Sequence, residues 1–388
     1  MTAPFIYLDN AATTPVDPEV REAMRPFLDA EFGNPSSRHR VGQRAAEAVD
    51  RARAEVARAT GAKAADVVFT SGGTEANNLA VLGSARARRK HGRHVLVGPT
   101  EHPCVRESAQ ALVEEGFEVE TLRLDSSGAL DLAHLAAALR PDTVLVGLLL
   151  VQNEFGSVQP VREVSARVRA RSPHAAVHVD AVQAFGKVEV SLRSLGADSI
   201  AISAHKVHGP KGSGALVTNG AIPLRPLVFG GGQQGGRRPG TEGVAGIVGL
   251  GVSARLAEER RESACASMRR CRDIVAAGIA RIPGARVLEP GAPAQAVSPA
   301  ILAVVIPGAP SEVRMNHLEE LGVIVSAGSA CHSKTSQVSP SLVAIGLSAA
   351  DARRMLRFSF SRATTESDAS TAGSALEAVC SKLESARK

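Results

Sequence analysis

The sequence predicts an α/β protein: a mostly parallel central sheet sandwiched by helices, with a smaller α+β unit behind it. Three observations support that class. Short β-branched runs alternate with amphipathic segments from Val67 to Thr218, a proline-free stretch from Glu242 to Ile282 keeps helical spacing, and strand-like and helix-like segments resume after it. Strands separated by helices form βαβ units, which set parallel strands in one sheet and helices over both faces. A chain of 388 residues can bury one large core and a second, smaller one.

Strands are expected at Val67–Thr70, His94–Val97, Val144–Val151, Ala176–Val179, Ile200–Ser203 and Ala215–Thr218, where β-branched or apolar residues concentrate. Helices are expected over Arg44–Ala59, Glu75–Arg89, Val105–Glu115 and Val161–Arg171. Val244, Ile247, Val248 and Leu256 lead into Met268, Ile274 and Ile279 at helical spacing, so one long helix linking two domains is expected there. The tail reads as a strand at Ile301–Ile306, a helix at Ser311–Leu321, a strand at Val323–Val325, a Gly/Ser loop, a strand at Met355–Phe360 and a closing helix over Thr365–Ala386. No internal repeat or low-complexity tract interrupts this order.

The longest apolar run, Val144–Val151, is closed by Asp142 on one side and by Gln152, Asn153 and Glu154 on the other, too short to cross a bilayer. Met1–Asn10 carries no export signal, so a cytoplasmic protein without a membrane partner is expected. Net charge is +6, but bases and acids are interleaved, and one Tyr with no Trp leaves little to stack on bases. Nucleic acid is therefore not an expected partner; anionic small molecules are. Five cysteines, at 104, 265, 271, 331 and 380, form no CxxC pair and are odd in number, which argues against a disulfide framework. His205 with His208, and His102 with Cys104, lack a second matched pair, and no metal is expected.

Only eight of the 45 basic residues are Lys. An imine-forming residue must be a primary amine that can lose its proton, which a guanidinium cannot do. Lys206 and Lys211, inside Ser203–Gly214, are the first candidates. Ser71-Gly72-Gly73-Thr74 lies between a strand and a helix, where backbone N–H groups can receive a phosphate or Thr74 can simply cap. Asp180 ends a parallel strand with Gln183 three residues on; it either caps the next segment or holds a pyridine nitrogen protonated. Ser203-Ala204-His205-Lys206 closes a neighbouring strand. A carboxylate, an amine and an anion nest at three strand ends are the protein contacts that pyridoxal phosphate requires. His102, ahead of Pro103 at a helix start, can stack on a flat ring and move protons, or be structural. Cys331 lies in a small, polar loop beside His332 and Lys334, a setting for a reactive thiolate. Arg357, flanked by apolar residues on a late strand, needs an anion, either a substrate carboxylate or an acidic side chain.

As a set these residues resemble the cysteine desulfurases, members of the class V aminotransferase group of fold-type I pyridoxal-phosphate enzymes. The resemblance runs from Tyr7-Leu8-Asp9-Asn10-Ala11-Ala12-Thr13-Thr14 through Gly33-Asn34-Pro35-Ser36-Ser37 and takes in every motif above in order. It implies that Lys206 forms the internal imine, Asp180 pairs with the ring nitrogen, Gln183 bonds the ring oxygen and His102 stacks on the ring. Gly73, Thr74, Ser203 and His205 would hold the phosphate, completed across a homodimer by Thr241 and Arg238 of an Arg-Pro-Gly-Thr loop. Asn34, Asn153 and Arg357 would fix the substrate carboxylate. The implied division is a large cofactor-binding domain at 15–258 and a small α+β domain at 1–14 and 259–388 carrying the Cys331 loop.

The implied reaction converts L-cysteine to L-alanine and moves the sulfur to Cys331 as a persulfide. An acceptor protein would then use it for sulfur-containing cofactors such as iron–sulfur clusters. The stretch around Cys331 and Arg238-Pro239-Gly240-Thr241 is also similar to selenocysteine lyases, which act on L-selenocysteine, and an aminotransferase of the same fold is the remaining alternative. The chain ends soon after its last predicted helix, whereas the housekeeping enzymes of iron–sulfur assembly carry a further tail that docks the scaffold.

Overall fold

The computed structural model describes residues 5–125, 128–288, 297–327 and 338–385. Its strands are β1 Ile6–Tyr7, β2 Val67–Thr70, β3 His94–Val97, β4 Glu118–Thr121, β5 Thr143–Leu149, β6 Ala176–Asp180 and β7 Ser199–Ser203. They continue with β8 Gly214–Thr218, β9 Arg286–Val287, β10 Ile301–Val305, β11 Val323–Ile324, β12 Ser326–Ala327 and β13 Met355–Ser359. Seven of them make one sheet in the order β2-β8-β7-β6-β5-β3-β4. All neighbours run parallel except β8, which is antiparallel to both β2 and β7. Strands β5, β6 and β7 are buried at every residue, because helices cover both faces; hence their largely apolar sequences, with His178 buried among them.

A second, antiparallel sheet has the order β12-β13-β10-β9, and β1 pairs in parallel with β11 through Ile6↔Val323 and Tyr7↔Ile324. A bridge between Asp9 and Ser359 continues that union. The start of the chain is thus hydrogen-bonded to its late strands and not to the seven-stranded sheet.

The proline-free stretch forms two helices, Val244–Glu259 and Arg261–Ile279, where one long helix was expected. Arg260 leaves the helical region at φ −101° and ψ 3°, and its guanidinium reaches Asp17 at 3.6 Å and Glu19 at 3.2 Å. Each helix follows its own partner. Gly251 packs on Ala52 of the helix Arg40–Thr60, whereas Gly278 meets Gly373 of the closing helix Glu366–Ser385. Apolar spacing survives the change of direction, so it does not reveal the break. The strand expected at Val323–Val325 is found as β11, and Ser326–Ala327 after it, expected as loop, forms β12 in the other sheet. Edge strand β4 escaped notice because Glu118-Val119-Glu120-Thr121 is at most half-buried and has no apolar run. Among the described residues no helix is long and apolar enough to cross a membrane.

Candidate active site

Three parallel strands deliver their carboxyl ends to one cleft, β5 ending at Leu149, β6 at Asp180 and β7 at Ser203. This is where parallel α/β sheets place ligands. Gly73, Thr74, His102, Asn153, Asp180, Gln183, Ser203, His205, Lys206 and Arg357 all line it. Asn34 and Thr241 do not. Asn34 is exposed and accepts a hydrogen bond from the Ser36 backbone, a local turn leading to the helix at Arg40. Thr241 is also exposed, and Arg238 nearby pairs with Glu75 at 2.9 Å within the same chain. Cys331 lies outside the described residues.

Lys206 closes a single turn after β7, and its Nζ donates to the carbonyls of Ala11 at 2.5 Å and Ala12 at 2.8 Å. Asp180 is held at both oxygens: Oδ1 accepts from Val182 N–H at 3.0 Å and Oδ2 from Asn77 Nδ2 at 2.7 Å. Because the amide nitrogen of Asn77 is committed to the carboxylate, its Oδ1 must accept from His178 Nε2, 2.8 Å away. His178 therefore carries its proton on Nε2 and accepts at Nδ1 from Ser199 Oγ, 2.9 Å away. Burial pushes the His178 pKa down to about 3, so the ring is neutral, and burial raises that of Asp180, which favours a cationic partner beside its carboxylate.

His102 caps the helix Pro103–Glu114, its Nδ1 accepting from Cys104 N–H at 3.2 Å with Cys104 Sγ at 3.0 Å. Burial lowers its pKa, and the neutral ring then bears its proton on Nε2. The helix Gly73–Arg88 begins without a side-chain cap at Gly72, leaving its first N–H groups for a ligand. A Cβ at Gly73 would stand 2.6 Å from Val182 Cγ2, so only glycine lets the helix start so close to the end of β6. Ser203, His205 and Lys211 border the same corner. Arg357 is 3% exposed and meets one of its two anticipated kinds of partner, an acidic side chain, together with a backbone carbonyl. Nη2 pairs with Asp9 at 2.7 Å and Nη1 donates to the Asn153 carbonyl at 2.9 Å, while buried Nε has no hydrogen-bond partner among the described residues.

A primary amine, a buried carboxylate demanding a cation and an uncapped helix start share the cleft, and this donor set fits pyridoxal phosphate. Four lining or flanking residues had drawn no comment from the sequence: Asn77, Glu101, Cys104 as a contact of Asn77 and His102, and Lys187. Glu101 is buried with Oε1 accepting from Leu149 N–H at 2.8 Å, and burial raises its pKa well above the ordinary value. Burial, with the Asp180 charge adding to it, pushes the Cys104 thiol up to about 12, so it is not a nucleophile.

His178, at about 3, and His208, at about 4, are depressed by burial, whereas an unfolded histidine titrates near about 6.5. Unfolding between these values takes up protons. Stability is thus complete above about pH 6.5 and is lost as pH falls toward 4, by up to about 1.4 kcal/mol per pH unit for each ring. Half-buried His205, also lowered to about 4, adds less. Urea unfolding is expected to show a clearly lower midpoint at pH 5 than at pH 7; equal midpoints would contradict the neutral-ring assignment.

Residues 6–371 match the family model described as Aminotransferase class-V. A cysteine desulfurase IscS 1 of Archaeoglobus fulgidus is 38% identical over 379 residues, covering 98% of each chain. A cysteine desulfurase IscS of Klebsiella pneumoniae is 42% identical over 371 residues, covering 94% of this chain and 89% of that one. Among solved structures, a NifS-like protein superposes with a TM-score of 0.91 at 34% identity, covering 98% of this chain and 100% of that one. SspA in complex with cysteine superposes at 0.79 with 32% identity, covering 91% and 98%. The cleft and these likenesses agree, and the chain belongs to the class-V aminotransferase family, among its cysteine desulfurases.

Proposed function

We propose that this chain uses pyridoxal phosphate to convert L-cysteine to L-alanine and passes the sulfur to Cys331 as a persulfide. The observation that carries the reading is the convergence of Lys206, Asp180 and the helix start at Gly73 in one cleft. When bound, the cofactor supplies an aldehyde for a primary amine and a ring that accepts electrons if its nitrogen stays protonated. Lys206 is the amine, and Asp180, braced by Asn77 and Val182, keeps that nitrogen cationic. Gln183 would give an N–H to the cofactor's ring oxygen, and His102, with its proton on Nε2, would lie against the ring and could exchange that proton with the substrate. Thr74, Ser203 and His205 with the backbone at Gly73 would hold the phosphate. Arg357, whose terminal nitrogens each keep one hydrogen beyond the bonds to Asn153 and Asp9, would hold the substrate carboxylate, with Asn153 beside it.

Thr241 and Asn34 take part in this reading across a homodimer. What supports this is their position outside the cleft of their own chain, together with exposed Phe229, 84%, and Phe32, 78%, which a second copy would cover. An acceptor protein takes the sulfur onward from Cys331. The free state of Cys104, Cys265, Cys271 and Cys380 suits a reducing, cytoplasmic setting. Incubation with L-cysteine followed by mass measurement of the Cys331 peptide is expected to show one added sulfur atom. An unmodified peptide during turnover would overturn the assignment of the acceptor.

A further inference from the structure

One buried cation takes no part in that chemistry. Lys187 is only 6% exposed, lies four residues after Gln183, and with Lys206, His208, Arg260 and Arg362 borders a small space behind the cleft. Among the described residues no carboxylate forms an ion pair with it. Burial takes its pKa down to about 7, Lys206 and Arg357 push the same way, and Cys265 opposes them. A site needing only packing would hold an apolar chain here, since an unpaired buried amine is costly.

The amine has one hydrogen bond that explains it. Lys187 Nζ donates to Gln183 Oε1 at 3.3 Å, while Gln183 Nε2 donates to the Ala11 carbonyl at 2.8 Å. That same carbonyl accepts from Lys206. An amide presents an acceptor at one end and two donors at the other, and an amine donates whether or not it is charged. Lys187 therefore turns Oε1 toward itself at any pH, leaving the second hydrogen of Nε2 for the cleft that Gln183 lines. We propose that Lys187 is a positioning residue that locks the Gln183 amide with its N–H toward the cofactor's ring oxygen. This rests on the pyridoxal-phosphate reading above. An amide free to turn over would set a carbonyl against that oxygen and raise its basicity.

The test is a pH titration of the visible absorbance of the cofactor-loaded protein, which needs no turnover. Lys187→Met, which fills a similar volume beside Met268 and Leu256, is expected to raise the midpoint by about one pH unit, a tenfold change in proton affinity. Lys187→Gln removes the charge but keeps a donor, and its midpoint is expected to stay near that of the wild type. In a Gln183→Met background, Lys187→Met is expected to add little further shift. A midpoint unmoved in loaded Lys187→Met, an equal shift in Lys187→Gln, or fully additive shifts would each overturn the proposal. Should Lys187→Met fail to fold, the Lys187→Gln midpoint alone decides, a raised value refuting it. Wild-type protein lacking cofactor absorbance would instead overturn the cofactor reading on which this depends.

Discussion

Lys206→Ala is expected to lower the rate of alanine formation from L-cysteine by about 10⁴-fold or more, because an amine held in place acts with an effective molarity on the order of 10⁵ M or higher. Among the described residues no other lysine lines the cleft. Lys187 lies behind Gln183 and does not line the cleft, and Lys211 borders only the corner formed by the start of the Gly73 helix. Cofactor would remain bound through the phosphate contacts but without its covalent link, so gentle gel filtration should strip it more readily than from the wild type. Retention of turnover within tenfold of the wild type would show that position 206 is not the attachment point.

Asp180→Asn is expected to cost about 10² to 10⁴ in turnover while leaving the cofactor attached to Lys206, since removing one member of a buried ion pair costs about 3–5 kcal/mol. Asparagine keeps the shape of aspartate, and its oxygen can still accept from Val182 N–H. The charge is what is lost. Asn77 cannot compensate, because an amide carries no charge whichever way it turns. Steady-state alanine formation, normalised to bound cofactor, separates a loss of chemistry from a loss of loading; near-normal turnover would remove Asp180 from the ring nitrogen.

The residues legible in the sequence are those at the ends of β6 and β7. Asp180 and Lys206 lie at or just past the ends of short, largely β-branched or apolar runs, so strand end and cleft can be inferred in one step. Gly73 and His102 were legible for a related reason, as each begins a helix directly after a strand. Asn77 was not. It sits one turn inside a helix, and its importance comes from His178, 101 positions away, and Asp180, 103 away. Lys187 was equally silent, since a lysine four residues after a glutamine ordinarily faces water.

By itself, the sequence determined most of the strands and helices of the central sheet, which side chains can carry amine, carboxylate and thiol chemistry, and that Ser71-Gly72-Gly73-Thr74 joins a strand to a helix start. Those properties are local: they depend on apolar spacing, backbone freedom and the intrinsic chemistry of a side chain. Only the tertiary structure decided that the helix pair breaks at Arg260, that Arg357 shares itself between Asp9 and the cleft, and which nitrogen of His178 holds the proton. Each of these depends on partners remote in the chain, whose approach is settled when the sheets and helices pack.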